Sequence, residues 1–110
     1  MIPRLKAGIF VRALIRRAEV AGAQAFVVRK GIEESGAILL KIARLDGTSL
    51  VLSQARRGEG ELVWVKPLGD AADDAKASAY FDRQIKFDPD LWIVEIEDRQ
   101  GRAFVDEPIV

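Results

Sequence analysis

The sequence contains no cysteine and no histidine. Without cysteine the chain can form no disulfide, thiolate nucleophile, zinc–thiolate site or iron–sulfur cluster of its own. Without histidine it has neither the commonest general base, nor the commonest transition-metal ligand, nor the usual pH switch. Any catalysis would rest on Asp, Glu, Lys, Arg, Ser, Thr or the single tyrosine, Tyr80, or on a borrowed cofactor. Long apolar runs are missing too: Arg12, Arg16 and Arg17 interrupt the N-terminal hydrophobic segment, which therefore reads as neither a signal peptide nor a membrane span. A cytoplasmic protein without membrane contact is expected.

What is present is a folded composition, 110 residues with 49% hydrophobic and 31% charged side chains, which fits one domain over residues 1–110. The net charge is zero but the charges are sorted. Residues 1–30 carry seven cations (Arg4, Lys6, Arg12, Arg16, Arg17, Arg29, Lys30) against Glu19 alone, and residues 68–110 carry eleven acids against five cations. The expected arrangement is that basic and acidic ends pair within the fold or across a dimer; a basic face left free would suit phosphates.

Two helices are predicted. From about Gly8, Phe10, Ala13, Leu14, Ala18 and Ala21 recur at helical spacing, and Gly22 suits the stop. Arg16 and Glu19, three apart, can pair. The second helix is expected to run from an N-cap at Asp70 to about Lys86, with acids near its start, cations near its end and Ala77, Phe81 and Ile85 as its buried stripe. Tyr80 borders that stripe and reads as a packing residue rather than a catalytic acid.

Strands are predicted at Ala25–Lys30, Ile38–Arg44, Ser49–Gln54, Glu61–Lys66, from Leu91 onward, and as a short return at Arg102–Val105. Asp46-Gly47 between apolar runs predicts a hairpin, since both residue types tolerate positive φ. The loop from Arg56 to Gly60 has no phosphate-cradle pattern and reads as an ordinary hairpin loop. Pro108 is expected to end regular structure, and the last residues to fray. Together these elements predict an α+β fold, a mainly antiparallel sheet of about five or six strands packed against two helices.

The stretch Phe87–Arg99 organises the rest. Pro89 stops the helix, Asp88 and Asp90 suit a turn, and the strand then alternates Trp92, Val94 and Ile96 on one face with Ile93, Glu95 and Glu97 on the other. Trp92 is expected as a core anchor inside the sheet. Glu95 and Glu97 share a face and are read first as ion-paired carboxylates on a half-solvated strand.

Several segments together resemble a small family of bacterial proteins known as a domain of unknown function. The resemblance rests on Arg4-Leu5 with Gly8, Ala13-Leu14-Ile15-Arg16-Arg17 with Glu19, Gly36-Ala37 leading to Leu40-Lys41, Arg44-Leu45-Asp46-Gly47, and above all Phe87-Asp88-Pro89-Asp90-Leu91-Trp92 with Glu95-Ile96-Glu97-Asp98-Arg99. It spans nearly the whole chain and implies a stand-alone domain, and it supplies no catalytic residue.

Three functions are weighed. The first is a non-enzymatic binding or protein-interaction module, self-associating as a homodimer or joined to another protein, suggested by the sorted charges and by sheet edges able to pair. The second is binding of nucleic acid or a phosphorylated ligand through the basic N-terminal helix, disfavoured by the neutral whole and the absence of interleaved aromatics. The third is a carboxylate-based enzyme using Glu95, Glu97, Asp88 and Asp90 as acid, base or hard-metal ligands. A non-enzymatic role ranks above an enzymatic one, and no catalytic residue, metal ligand set or cofactor is assigned. The candidate binding residues are Arg12, Arg16, Arg17, Glu19, Asp88, Asp90, Trp92, Glu95, Glu97 and Arg99.

Overall fold

A computed structural model describes residues 5–110. Arg4, one of the cations counted above, lies outside the described residues. The chain runs α1 (Ala7–Val20), β1 (Gln24–Arg29), β2 (Ile38–Ala43), β3 (Thr48–Arg57), β4 (Glu61–Val65), a two-residue β5 (Ala72–Asp73), α2 (Asp74–Phe87) and β6 (Trp92–Glu97). The sheet order is β1-β6-β2-β3-β4, with β5 beside β3. All pairings between strands are antiparallel except β2 with β6, so the expected α+β class and strand number hold.

Period-two alternation sorts the strands into two cores. On one face Ile38, Leu40, Ile42, Leu52, Trp64, Trp92, Val94 and Ile96 pack under Val11, Leu14 and Ala18 of α1. On the other, Leu39, Val51 and Ile93 meet Ala77, Tyr80 and Phe81 of α2. The helices thus cover opposite faces, and β2 and β6 are buried on both sides. None of the described helices is long and apolar enough to cross a membrane.

Trp92 sits inside the sheet as expected, 3% exposed. Its indole Nε1 donates to the Ile32 carbonyl at 2.8 Å and its backbone N–H to the Ala37 carbonyl at 2.8 Å. The 31–37 loop folds over the ring so closely that a Cβ on Gly31 or Gly36 would meet the Asp90 carbonyl and the indole. The same loop completes α1. Lys6 caps that helix with no side-chain bond, and the Glu33 carbonyl instead accepts from the Gly8 N–H at 2.9 Å.

Four local expectations are corrected. The N-cap of α2 is Asp73, which accepts from the Lys76 N–H at 2.8 Å; Asp70 lies upstream, paired with Lys66 at 2.7 Å. A carboxylate three residues closer to the helix competes better for its free N–H groups. In the β2–β3 hairpin the left-handed residues are Leu45 (φ 64°) and Gly47 (φ 91°), while Asp46 accepts from both the Thr48 N–H and hydroxyl. Residues 102–105 form no strand, and Phe104 takes φ 60°. Finally, the C-terminal residues are held rather than frayed: Trp64 donates its N–H to the Pro108 carbonyl and accepts from the Val110 N–H, each at 2.8 Å. They add a parallel bridge to the outer edge of β4, where backbone groups would otherwise lack partners.

Candidate functional site

The residues singled out in the sequence are distributed over the molecule. Around the Trp92 clasp, the Asp88 side chain accepts from the Asp90 N–H at 3.1 Å and the Asp90 carbonyl accepts from the Ile32 N–H at 2.9 Å. The Asp88 carboxylate and the Asp90 backbone are therefore part of a turn that ties β6 to the 31–37 loop. Glu95 lies five residues further along, roughly 16 Å at the rise of a strand, too far to act with Asp90 as a carboxylate pair.

Glu95 is half-buried beneath Lys41 at 3.6 Å, and Lys41 also reaches Asp74 of α2 at 3.4 Å. The expected ion-paired carboxylate is therefore present at Glu95, with Lys41, not anticipated as its partner, as the centre. The parallel register puts Lys41 opposite Glu95, a pairing between distant segments that carries no local signal in the sequence. Glu97 pairs in register with Gln24 of β1, and Arg99 is exposed beyond the strand end. The strong carboxylate–guanidinium fork lies next door: Asp98 accepts from the Arg102 backbone N–H at 2.7 Å and its guanidinium at 2.8 and 3.1 Å. The guanidinium holds the Asp98 carboxyl below its usual range. Arg102 also stacks over Phe104, 5.0 Å from the ring centroid. Among the described residues no group of three or more acids gathers where it could hold a metal ion.

Among the described residues no ion pair joins residues 5–30 to residues 68–110. Arg12 bonds Glu33 at 2.7 Å, so its partner comes from the loop that completes α1. That contact raises the pKa of Arg12 and lowers that of Glu33. Arg17 donates through Nε to the Phe104 carbonyl at 3.0 Å, and Arg29 to the Pro89 carbonyl at 2.7 Å. Arg16 and Glu19 are exposed and do not form the anticipated pair; the ion pairs of the described residues fall elsewhere. Arg16 and Arg17 overlook an open groove of about 630 Å³ between α1 and residues 104–106, whose floor is Ala13, Val20, Phe104 and Val105 and whose rim carries Asp106.

A different feature stands out from the fold. Among the described residues, β1 has β6 on one side and no strand on the other. Its Phe26, Val27 and Val28 are 43%, 40% and 55% exposed, three consecutive large apolar residues at a free edge. Neither buried core takes them in: Ala25 is the residue of β1 that packs against the α1 core, and the α2 core is built on β2, β3 and β6. Sequence reasoning recognised the strand but not its edge position, because an apolar stretch on both faces reads as an interior strand.

Comparison with known proteins agrees with this architecture. A family model described as "Protein of unknown function (DUF1491)" matches residues 5–106. A crystal structure of a DUF1491 family protein from Caulobacter crescentus CB15 is 46% identical, covers 97% of this chain and 100% of its own, and superposes with a TM-score of 0.90. An NMR structure of a DUF1491 family protein from the same organism gives 47% identity, 96% coverage of both chains and a TM-score of 0.85. A solution structure of an A. tumefaciens protein is 31% identical over 96% of this chain and 95% of its own, with a TM-score of 0.80. No curated protein matches the chain.

Proposed function

We propose that this chain, which belongs to the DUF1491 family of proteins of unknown function, acts as a non-enzymatic protein-interaction module that accepts a strand at the outer edge of β1. The observation that carries the reading is that edge: backbone unpaired among the described residues along a strand of six, which itself carries exposed Phe26, Val27 and Val28. Strand addition uses both parts, main-chain hydrogen bonds for affinity and alternate side chains for selectivity. An open apolar edge that served nothing would be a hazard that proteins ordinarily blunt with charge, proline or a covering segment. The carboxylates that would serve an enzyme support the same ranking, since Glu95 is bound by Lys41 and Asp88 by the turn it closes. For the basic N-terminal segment as a phosphate site, the support is thinner, because Arg12, Arg17 and Arg29 are already engaged.

The reading includes a cytoplasmic location, which cell fractionation checks directly. Its main test is capture from cell extract with the wild-type chain against Phe26→Lys and, at the far hairpin, Glu59→Lys. A partner retained by the wild type and by Glu59→Lys but lost with Phe26→Lys is the expected result. Partners that ignore the Phe26 substitution, with no self-association either, would remove the β1 edge from the function.

A further inference from the structure

We infer that the strand accepted at β1 comes from a second copy of this chain, docked antiparallel across a twofold axis that passes beside Phe26, so that two sheets join into one. This deepens the strand-addition reading and rests on it. β1 is regular against β6 from Gln24 to Val27 before its register shifts between Val27 and Arg29. Its outer side is therefore a straight template over the same four residues, Gln24-Ala25-Phe26-Val27.

A twofold axis perpendicular to the sheet keeps every side chain on its own face, so cross-strand partners must come from the same face. Ala25 and Val27 lie on the α1 side, in register with Ile96 and Val94, while Phe26 lies on the opposite side with Glu95. Phe26 opposite Phe26 satisfies the condition and makes Ala25 face Val27 twice, once on each side of the axis. Exposed apolar groups on both faces of β1 are thereby covered together, by aromatic–aromatic and aliphatic pairs of the kind that stabilise sheets. A twofold interface of this kind is self-complementary and closed, which prevents the edge from propagating into a fibre.

Charge adds a contact in the same orientation. Lys30, exposed, follows β1, whereas Glu19, exposed and one turn beyond Arg16, stands just before it at the end of α1. Antiparallel docking brings Lys30 of one copy toward Glu19 of the other, while parallel docking would set the two Lys30 side chains together. The register shift after Val27 keeps the shared ladder short, so the dimer is reversible and dilutes to monomer.

The test is sedimentation of the full chain over a wide concentration range, joined to thiol cross-linking. Because the chain has no cysteine, Phe26→Cys carries a single thiol, and Glu59→Cys at the β3–β4 hairpin is its control. The wild type is expected to rise from 12.2 kDa toward twice that mass. Phe26→Lys should stay at the monomer mass with an unchanged circular dichroism spectrum. Phe26→Cys should give a cross-linked dimer with a short bis-maleimide at least tenfold faster than Glu59→Cys. Should the lysine variant not fold, Val27→Asp in the same ladder replaces it. A wild-type chain that remains monomeric with the two cysteine variants cross-linking alike, or a dimer that persists with Phe26→Lys, overturns the inference. If the chain is monomeric yet loses an extract partner on Phe26→Lys, self-pairing fails and strand addition stands; if it retains that partner, both fail.

Discussion

The sheet ends in two edges that are finished in opposite ways. At β4 the chain returns to its own outermost strand: Pro108 and Val110 take up the backbone groups of Trp64, Glu107 accepts from the indole Nε1 at 3.1 Å, and charged Arg57 and Glu61 close the hairpin. At β1 no segment of the described residues returns, and Phe26, Val27 and Val28 are exposed. The two strands are similarly apolar, so composition does not explain the contrast. The difference lies in where the C-terminal segment goes. After β6, which pairs directly with β1, the chain turns away at Asp98–Arg102 and crosses to the other edge. One edge is thus closed by the chain itself and the other is left for a partner.

The comparison can be broken first at the closed edge. Trp64 is fully buried, with Phe10 of α1 at 6.0 Å between ring centroids. Trp64→Ala is expected to cost about 3–5 kcal/mol, the usual range for an emptied indole site, measured by denaturant unfolding. The Asp98 fork comes next, since it steers the chain toward β4; Asp98→Ala should cost about 1.5–3 kcal/mol at neutral pH, from hydrogen bonds to a charged group. Its pH dependence has a definite sign. The folded-state pKa is lowered by Arg102, so the native chain binds the proton less readily than the unfolded one. The stabilisation is complete above about pH 4 and is lost as pH falls through the lowered folded value, so the gap between wild type and Asp98→Ala should close in acid.

Removing Pro108–Val110 has a smaller expected effect, about 1–2 kcal/mol for two backbone hydrogen bonds. It also sharpens the contrast, because it should create a second concentration-dependent association that Phe26→Lys does not suppress. The smallest stability effect is that of Phe26→Lys itself. The new cation can face Glu95, its register neighbour, and thermal melting of the monomer should shift by no more than about 0.5 kcal/mol.

The sequence carried the elements well and their arrangement poorly, for physical reasons that particular residues show. Helical spacing of Leu14 and Ala18, the alternation around Trp92 and the Asp46-Gly47 turn are local signals, and each element appears where its signal stands. Strand order is a non-local property: that β6 inserts between β1 and β2, and pairs parallel with β2, has no local signature. For that reason Glu95 could be anticipated as ion-paired while its partner Lys41 could not be named. The edge position of β1 was hidden likewise, since Ala25-Phe26-Val27-Val28 carries none of the charges or prolines that mark an edge. The C-terminal bridge escaped because Pro108 reads as a terminator. It contributes its carbonyl, which proline retains, and the N–H is supplied by Trp64.

Amide hydrogen exchange at the two edges, followed against protein concentration, tests the central claim most directly. The account predicts that protection of Gln24–Val27 rises as concentration increases, while the β4 amides, already covered by the C-terminal segment, keep a constant rate. Exchange at β1 that is independent of concentration, or protection that grows equally at both edges, would contradict it.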